Sequence, residues 1–308
     1  MNEITTQKLF GHQKQEELFF QLLNQNSLPH CFLFYGPKGV GKYTFSLLAA
    51  RVLAEKVPSF KDINFESLTQ KQFTQQVIPS LHIINGEGNY KVEELTPAFT
   101  FLQTKVADDA WKVLIINNAH QLNFFGQNAL LKQLEEPAPR TVIFLVTDQL
   151  NALLPTILSR AMRVGFNAIS EGDFKAFCTH NNIYVDPDER HFYAAFTANC
   201  PGLMKEVFLQ KTYQTYKEVR QLLESYLLGG DSALHKKFAS SEQNEKQLFI
   251  NLLYYLLHQH ARGEVALPIT VNALDLWHTF AQKHNDYVTQ TLDIDQLFTT
   301  LLINLKQG

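Results

Sequence analysis

The chain has 308 residues, 45% hydrophobic and 19% charged, with a formal net charge of −3. This length predicts two or three domains, and the composition excludes a disordered chain. The charge excludes a protein that coats nucleic acid by bulk attraction, while leaving room for a local basic surface within a complex.

No apolar run approaches the roughly 20 residues of a membrane-spanning helix, and the N-terminal MNEITTQKLFGHQKQ lacks an apolar signal core, so the expected address is cytoplasmic. Cys31, Cys178 and Cys200 stand far apart with no cysteine or histidine cluster at metal spacing, so neither a disulfide framework nor a metal site is expected.

In chain order, apolar runs predict strands over 31–35, 81–84, 113–116 and 141–147. Helical patterns cover 42–56, 92–104, 123–136 and 154–161. Strands spaced by helical crossovers predict a mostly parallel α/β sheet ending near Phe166. The stretch 57–79 is polar, Gln-rich and dotted with Phe, and is read as inserted helices or loop. Ser170 is a good N-cap before an apolar-periodic helix, and 168–210 reads as a small helical bundle punctuated by DPDE and CPG. From Gln214 onward leucines and aromatics recur at helical spacing, broken by GGDS and GEVALP, which predicts an all-helical tail.

Gly36-Pro37-Lys38-Gly39-Val40-Gly41-Lys42 follows a predicted strand and precedes a predicted helix. That is the setting of a P-loop, in which glycines let backbone N–H groups wrap phosphates while the helix N-terminus and Lys42 add positive potential. The next position, where a short hydroxyl would reach a magnesium ion, is Tyr43; Thr44 lies about 100° further round the helix and is expected to point elsewhere. The strand in KVLIINNAHQL ends in Asn117 and Asn118, where P-loop enzymes place an acid for the metal and, in one large branch, a Glu that polarises water. An amide neither balances the metal's charge nor accepts a proton. Three altered positions of three predict a site that does not turn over.

Together GPKGVGK, NNAHQLNFFGQNALLKQLEEPAPRTVIFLVT and LLPTILSRAMRV resemble the clamp-loader subunits of bacterial DNA polymerase III, of the AAA+ class, and most closely the delta-prime subunits. The resemblance covers about 5–166 well, 168–210 weakly and the tail by length and helicity. It implies an α/β P-loop AAA+ domain over 1–166, a helical lid domain over 167–212 and an all-helical collar domain over 213–308 that joins subunits in a ring. Ser159 and Arg160 match the family's arginine-finger motif, whose third residue is here Ala161. The finger acts on the ATP of a neighbouring subunit.

Thr147 matches a polar sensor position. The lid reads Asn199-Cys200-Pro201-Gly202-Leu203-Met204-Lys205 without the arginine of active members, leaving Lys205 as a substitute. The family's four-cysteine zinc module has no counterpart in 54–81, and His82 reads as a strand histidine. Gln127, Asn128 and Lys132 lie on a helix that in the family approaches template DNA; Lys132 reads equally as a DNA-phosphate contact or a solvated charge. The apolar positions Leu248, Ile250, Leu252, Leu253, Leu256 and Leu257 read as bundle core or as partner surface.

The resemblance therefore implies a non-hydrolysing delta-prime-like subunit, working with gamma or tau and delta subunits in a hetero-pentamer that loads the sliding clamp on primed DNA. No metal and no required cofactor are expected, and intact Gly39, Gly41 and Lys42 leave weak ATP or ADP binding without magnesium open. Two alternatives stand beside it: an active gamma-like ATPase subunit, and a nucleotide-binding regulator outside replication.

Overall fold

The computed structural model describes residues 8–63, 80–85, 90, 92–104, 110–209, 212–229, 233–268 and 293–306. It divides into two compact units, one of residues 1–186 with 197–205 and one of 187–196 with 206–308. This division distributes the segment 167–212, expected as a lid domain of its own, between the two.

The first unit is built on β1 (Cys31–Tyr35), β2 (Leu81–Ile84), β3 (Lys112–Ile116), β4 (Thr141–Thr147) and β5 (Met162–Gly165). They form one parallel sheet in the order β2-β3-β4-β1-β5. Its helices are α1 (Gln13–Asn24), α2 (Lys42–Glu55), α3 (Val92–Gln103), α4 (Phe124–Glu135), α5 (Pro155–Leu158) and α6 (Glu171–His180).

The four predicted strands are present, and β3 and β4 are buried along their whole lengths, as continuous apolar runs require. Alternation sorts β1 and β4 between two cores. Phe32, Phe34 and Phe144 face a phenyl-rich layer with Phe19, Phe45 and Phe166, where Phe34 and Phe144 stack at 5.3 Å. Leu33, Ile143 and Leu145 face an aliphatic layer with Leu130 and Leu134 of α4. This two-sided burial fixes the register and holds every strand's C-terminal end at one edge of the sheet.

Two elements of this unit lie outside the predicted pattern. Helix α1 fully buries Phe19 and packs Leu18, Phe20, Leu22 and Leu23 against the same core, and β5 is a four-residue edge strand with Arg163 exposed. Lys112, at the start of β3, is buried; its Nζ donates to the carbonyls of Leu102 and, at 2.9 Å, Thr104, which closes the end of α3. Of the inserted stretch 57–79, a 3₁₀ turn spans Phe60–Asp62, and 64–79 lies outside the described residues. His82 stacks on Phe101 at 5.6 Å.

The second unit is helical. Helix α7 (Pro187–Thr197) supplies 187–196, and α8 (Pro201–Leu209), which starts in the first unit, enters at Glu206. Then follow α9 (Thr212–Leu227), α10 (Ala233–Ser240), α11 (Gln243–Ala261) and α12 (Ile294–Lys306). Phe192, Tyr216 and Tyr255 meet in an aromatic cluster, in which the Tyr216 Oη donates to Gln259 Oε1 at 3.2 Å and Gln259 Nε2 donates to Tyr255 Oη at 2.8 Å. A second cluster stacks Phe238 on Phe298 at 3.7 Å with Phe249 edge-on. Ile250, Leu252, Leu253, Leu256 and Leu257 are buried and Leu248 is half-buried, which favours the core reading of that stripe.

Candidate functional site

The loop after β1 is shaped by glycines that packing demands. Gly36 has φ of +140°, and a Cβ there would lie 2.0 Å from the carbonyl oxygen of Phe166. Gly39 has φ of +76°, and a Cβ there would lie 2.7 Å from the backbone nitrogen of Leu203, while the Gly202 N–H donates to the Gly39 carbonyl at 2.7 Å. Lys42 opens α2, and its buried ammonium donates to the carbonyls of Gly36 and Pro37, each at 2.7 Å. Burial lowers the Lys42 pKa from its ordinary value, and the charge of Asp148 pushes the other way. From below, the His12 ring nitrogen Nε2 donates to the Val40 carbonyl at 2.8 Å, with the ring against Phe166. Burial moves His12 below its usual pKa, so it braces the loop in the neutral form.

A cavity of about 630 Å³ opens over this loop. Gly39, Gly41 and Lys42 line its floor, Asn117, Asn118, Thr147 and Asp148 the ends of β3 and β4, and Lys8, Lys38 and Lys205 the rim. Gly39, Gly41, Lys42, the two asparagines and Lys205 are thus brought together, and Gly36 does not line the cavity. Thr44, expected to point elsewhere, also lines the cavity. The cavity caps the end of α2, where residues on more than one side of the first turn meet it.

The donors do not fit a magnesium ion. Burial pushes the Tyr43 phenol up to about 12, so it remains a neutral, bulky group. Asn117 Nδ2 donates to Asn85 Oδ1 at 2.8 Å, and Asn118 adopts a left-handed backbone with φ of 53°, a conformation asparagine tolerates well. Thr147 is buried, accepts the Gln149 N–H at 3.0 Å and stands 3.3 Å from His120 Nδ1. Among the described residues Asp148 is the one carboxylate lining the cavity, and it lies 3.2 Å from that same His120 nitrogen.

Arg160 lies elsewhere. It follows α5, 37% exposed, and donates to Glu135 Oε1 at 2.8 Å and to the Thr156 carbonyl at 3.1 Å. Ser159 Oγ donates to the Thr156 carbonyl at 3.0 Å. Met162 pairs with Phe32, which places Arg160 beyond the N-terminal ends of the strands, whereas the P-loop follows their C-terminal ends. At about 3.3 Å per strand residue the separation along the sheet is roughly 20 Å. Arg160 therefore cannot serve its own P-loop.

Gln127 requires a correction. Expected as a DNA contact, it is 5% exposed, and its amide is consumed: Nε2 donates to the carbonyls of Leu122 and Ala152 at 3.0 and 3.1 Å, and Oε1 accepts the Leu154 N–H at 2.8 Å. It ties α4 to the segment that leads into Arg160. Lys132 is exposed on the same helix, and Asn128 donates to the Phe124 carbonyl at 2.8 Å. Sequence reasoning passed over His12, His120 and Asp148. For Asp148 a signal existed, since ligands of open α/β sheets gather at the C-terminal ends of the strands.

Residues 11–170 match the family model described as DNA polymerase III, delta subunit. A tau subunit of DNA polymerase III from Bacillus subtilis is 30% identical over 168 residues, 54% of this chain and 29% of that protein. A delta-prime subunit from Pseudomonas aeruginosa is 30% identical over 153 residues, 48% of this chain and 46% of that one. The chain thus spans less than half the length of these curated relatives. A solved gamma-subunit-related protein of DNA polymerase III from Thermotoga maritima shares the fold at a TM-score of 0.55 and 16% identity, covering 95% of this chain and 99% of its own.

Proposed function

Because the chain belongs to the family described as DNA polymerase III, delta subunit, we propose that it is a clamp-loader subunit that does not hydrolyse ATP and offers Arg160 to the ATP of a neighbouring subunit, in the manner of a delta-prime subunit. The fold is that of the AAA+ class, a five-stranded parallel sheet with flanking helices. The observation that carries the reading is the position of Arg160, exposed at the sheet edge opposite its own P-loop. A planar, permanently charged guanidinium suits a γ-phosphate on which charge develops. Its present partner, Glu135, is half-exposed, and a surface pair of this kind is worth at most about 1 kcal/mol, so Arg160 is readily released.

The partners in this reading are gamma or tau and delta subunits in a hetero-pentamer that loads a sliding clamp on primed DNA in the cytoplasm. Among the described residues no helix is long and apolar enough to cross a membrane. The helical domain of 213–308 serves as the collar, and Lys132 contacts DNA phosphate. The chain's own cavity retains a P-loop floor and rim lysines without donors for magnesium, so it binds nucleotide weakly and without metal.

The test is Arg160→Ala in a loader reconstituted with cognate gamma and delta subunits. The pentamer should form normally, while hydrolysis at the facing site falls by about a thousandfold or more. Unchanged hydrolysis would sink the assignment. ATP turnover by the purified chain alone, abolished by Lys42→Ala, would replace it with a gamma-like ATPase.

A further inference from the structure

We infer that Asp148 makes the cavity selective for a nucleoside diphosphate over a triphosphate, with the lysines around the loop supplying the countercharge that a divalent cation supplies elsewhere. The inference rests on the proposal that the cavity still takes nucleotide. It deepens that proposal by naming which nucleotide.

The geometry follows from the ends of two strands. A P-loop floor holds a β-phosphate, and a third phosphate would extend past Lys42 toward the ends of β3 and β4. There it would meet Asn117 and Asn118, which are neutral, and Asp148, which is an anion. In an ordinary P-loop enzyme an acid at this end is tolerated because a magnesium ion lies between it and the phosphate. Here Tyr43 and the two amides leave the ion without its donors, so Asp148 would face a third phosphate directly. His120 neutralises little of that charge, because burial lowers its pKa.

The charges on the other side favour the smaller ligand. Lys42 on the floor and Lys8, Lys38 and Lys205 at the rim put four ammonium groups around the cavity. A diphosphate carries less charge toward Asp148 than a triphosphate does.

The full-length chain should be titrated calorimetrically with ADP and with ATP, first in EDTA and then with magnesium. In EDTA, ADP should bind at least about tenfold more tightly than ATP, a gap of about 1.4 kcal/mol. The isosteric Asp148→Asn change should bring the two within about threefold by raising ATP affinity more than ADP affinity. Asp148→Ser, smaller and also neutral, should do the same and guards against an effect of the lost His120 contact.

Equal binding of ADP and ATP by the unaltered chain would overturn the inference, as would a preference that survives both substitutions. ATP affinity that rises with magnesium in the unaltered chain but not in Asp148→Asn would make Asp148 a metal ligand instead. No binding of either nucleotide would overturn it too, while leaving Arg160 to be judged by hydrolysis in the reconstituted complex.

Discussion

Replacing Gln127 with alanine separates two roles for one residue. As a DNA contact, the side chain would be dispensable for folding and its loss would weaken DNA binding. As the buried tie seen here, it holds the carbonyls of Leu122 and Ala152 and the Leu154 N–H, and alanine orphans all three. At about 1 kcal/mol net per hydrogen bond the local cost is about 3 kcal/mol, less if water enters the space and more if it does not, so about 2–4 kcal/mol. That corresponds to a roughly 30- to 1,000-fold rise in local opening, measurable by amide hydrogen exchange of peptides covering 122–127 and 150–158 in the full-length chain. Because 150–158 leads directly into Ser159 and Arg160, hydrolysis at the neighbouring site should also fall, by less than in Arg160→Ala. Unchanged protection combined with weaker DNA binding would refute the reasoning and return Gln127 to a DNA surface.

Two further outcomes are expected. Gly36→Ala should destabilise the sheet unit by about 2–4 kcal/mol, since its Cβ would collide with the Phe166 carbonyl in a backbone that already sits at φ of +140°; an unshifted thermal transition would contradict this. Stability should fall as pH drops below about 6.5, because burial holds His12 below that ordinary value and the unfolded chain takes up the proton first. The fall begins at the unfolded value and is complete below the folded one. The charge of Asp173 resists the downward shift and that of Lys42 adds to it. His82 and His120 shift the same way, so His12→Gln should flatten the pH profile of melting only in part.

The strands most legible in the sequence, β3 and β4, are those whose residues are buried on both sides. Val113 to Ile116 and Val142 to Val146 have no polar position to confuse the period. β5 was not legible because Met162-Arg163-Val164-Gly165 offers no apolar run and leaves Arg163 exposed. Within the site, the loop, Lys42 and the two asparagines are local in sequence and could be found by spacing. His12 and Asp148 reach the loop through the fold, from a helix start 28 residues before Val40 and from the end of another strand, and spacing carries no trace of that. Gln127 sat in a recognisable motif, but its role depends on three backbone groups that only tertiary structure assembles.

The preserved GPKGVGK motif then has a physical reading independent of catalysis. Gly36 is required by the Phe166 carbonyl and Gly39 by the backbone of Gly202 and Leu203, so a side chain at either position would disturb the packing of the loop whether or not phosphate ever binds there. Tyr43, Asn117 and Asn118 stand where P-loop ATPases carry a short hydroxyl and acids. A glycine pattern kept by packing alone is compatible with complete loss of turnover. The site's chemistry must therefore be judged at those three positions and at Asp148 rather than at the glycines.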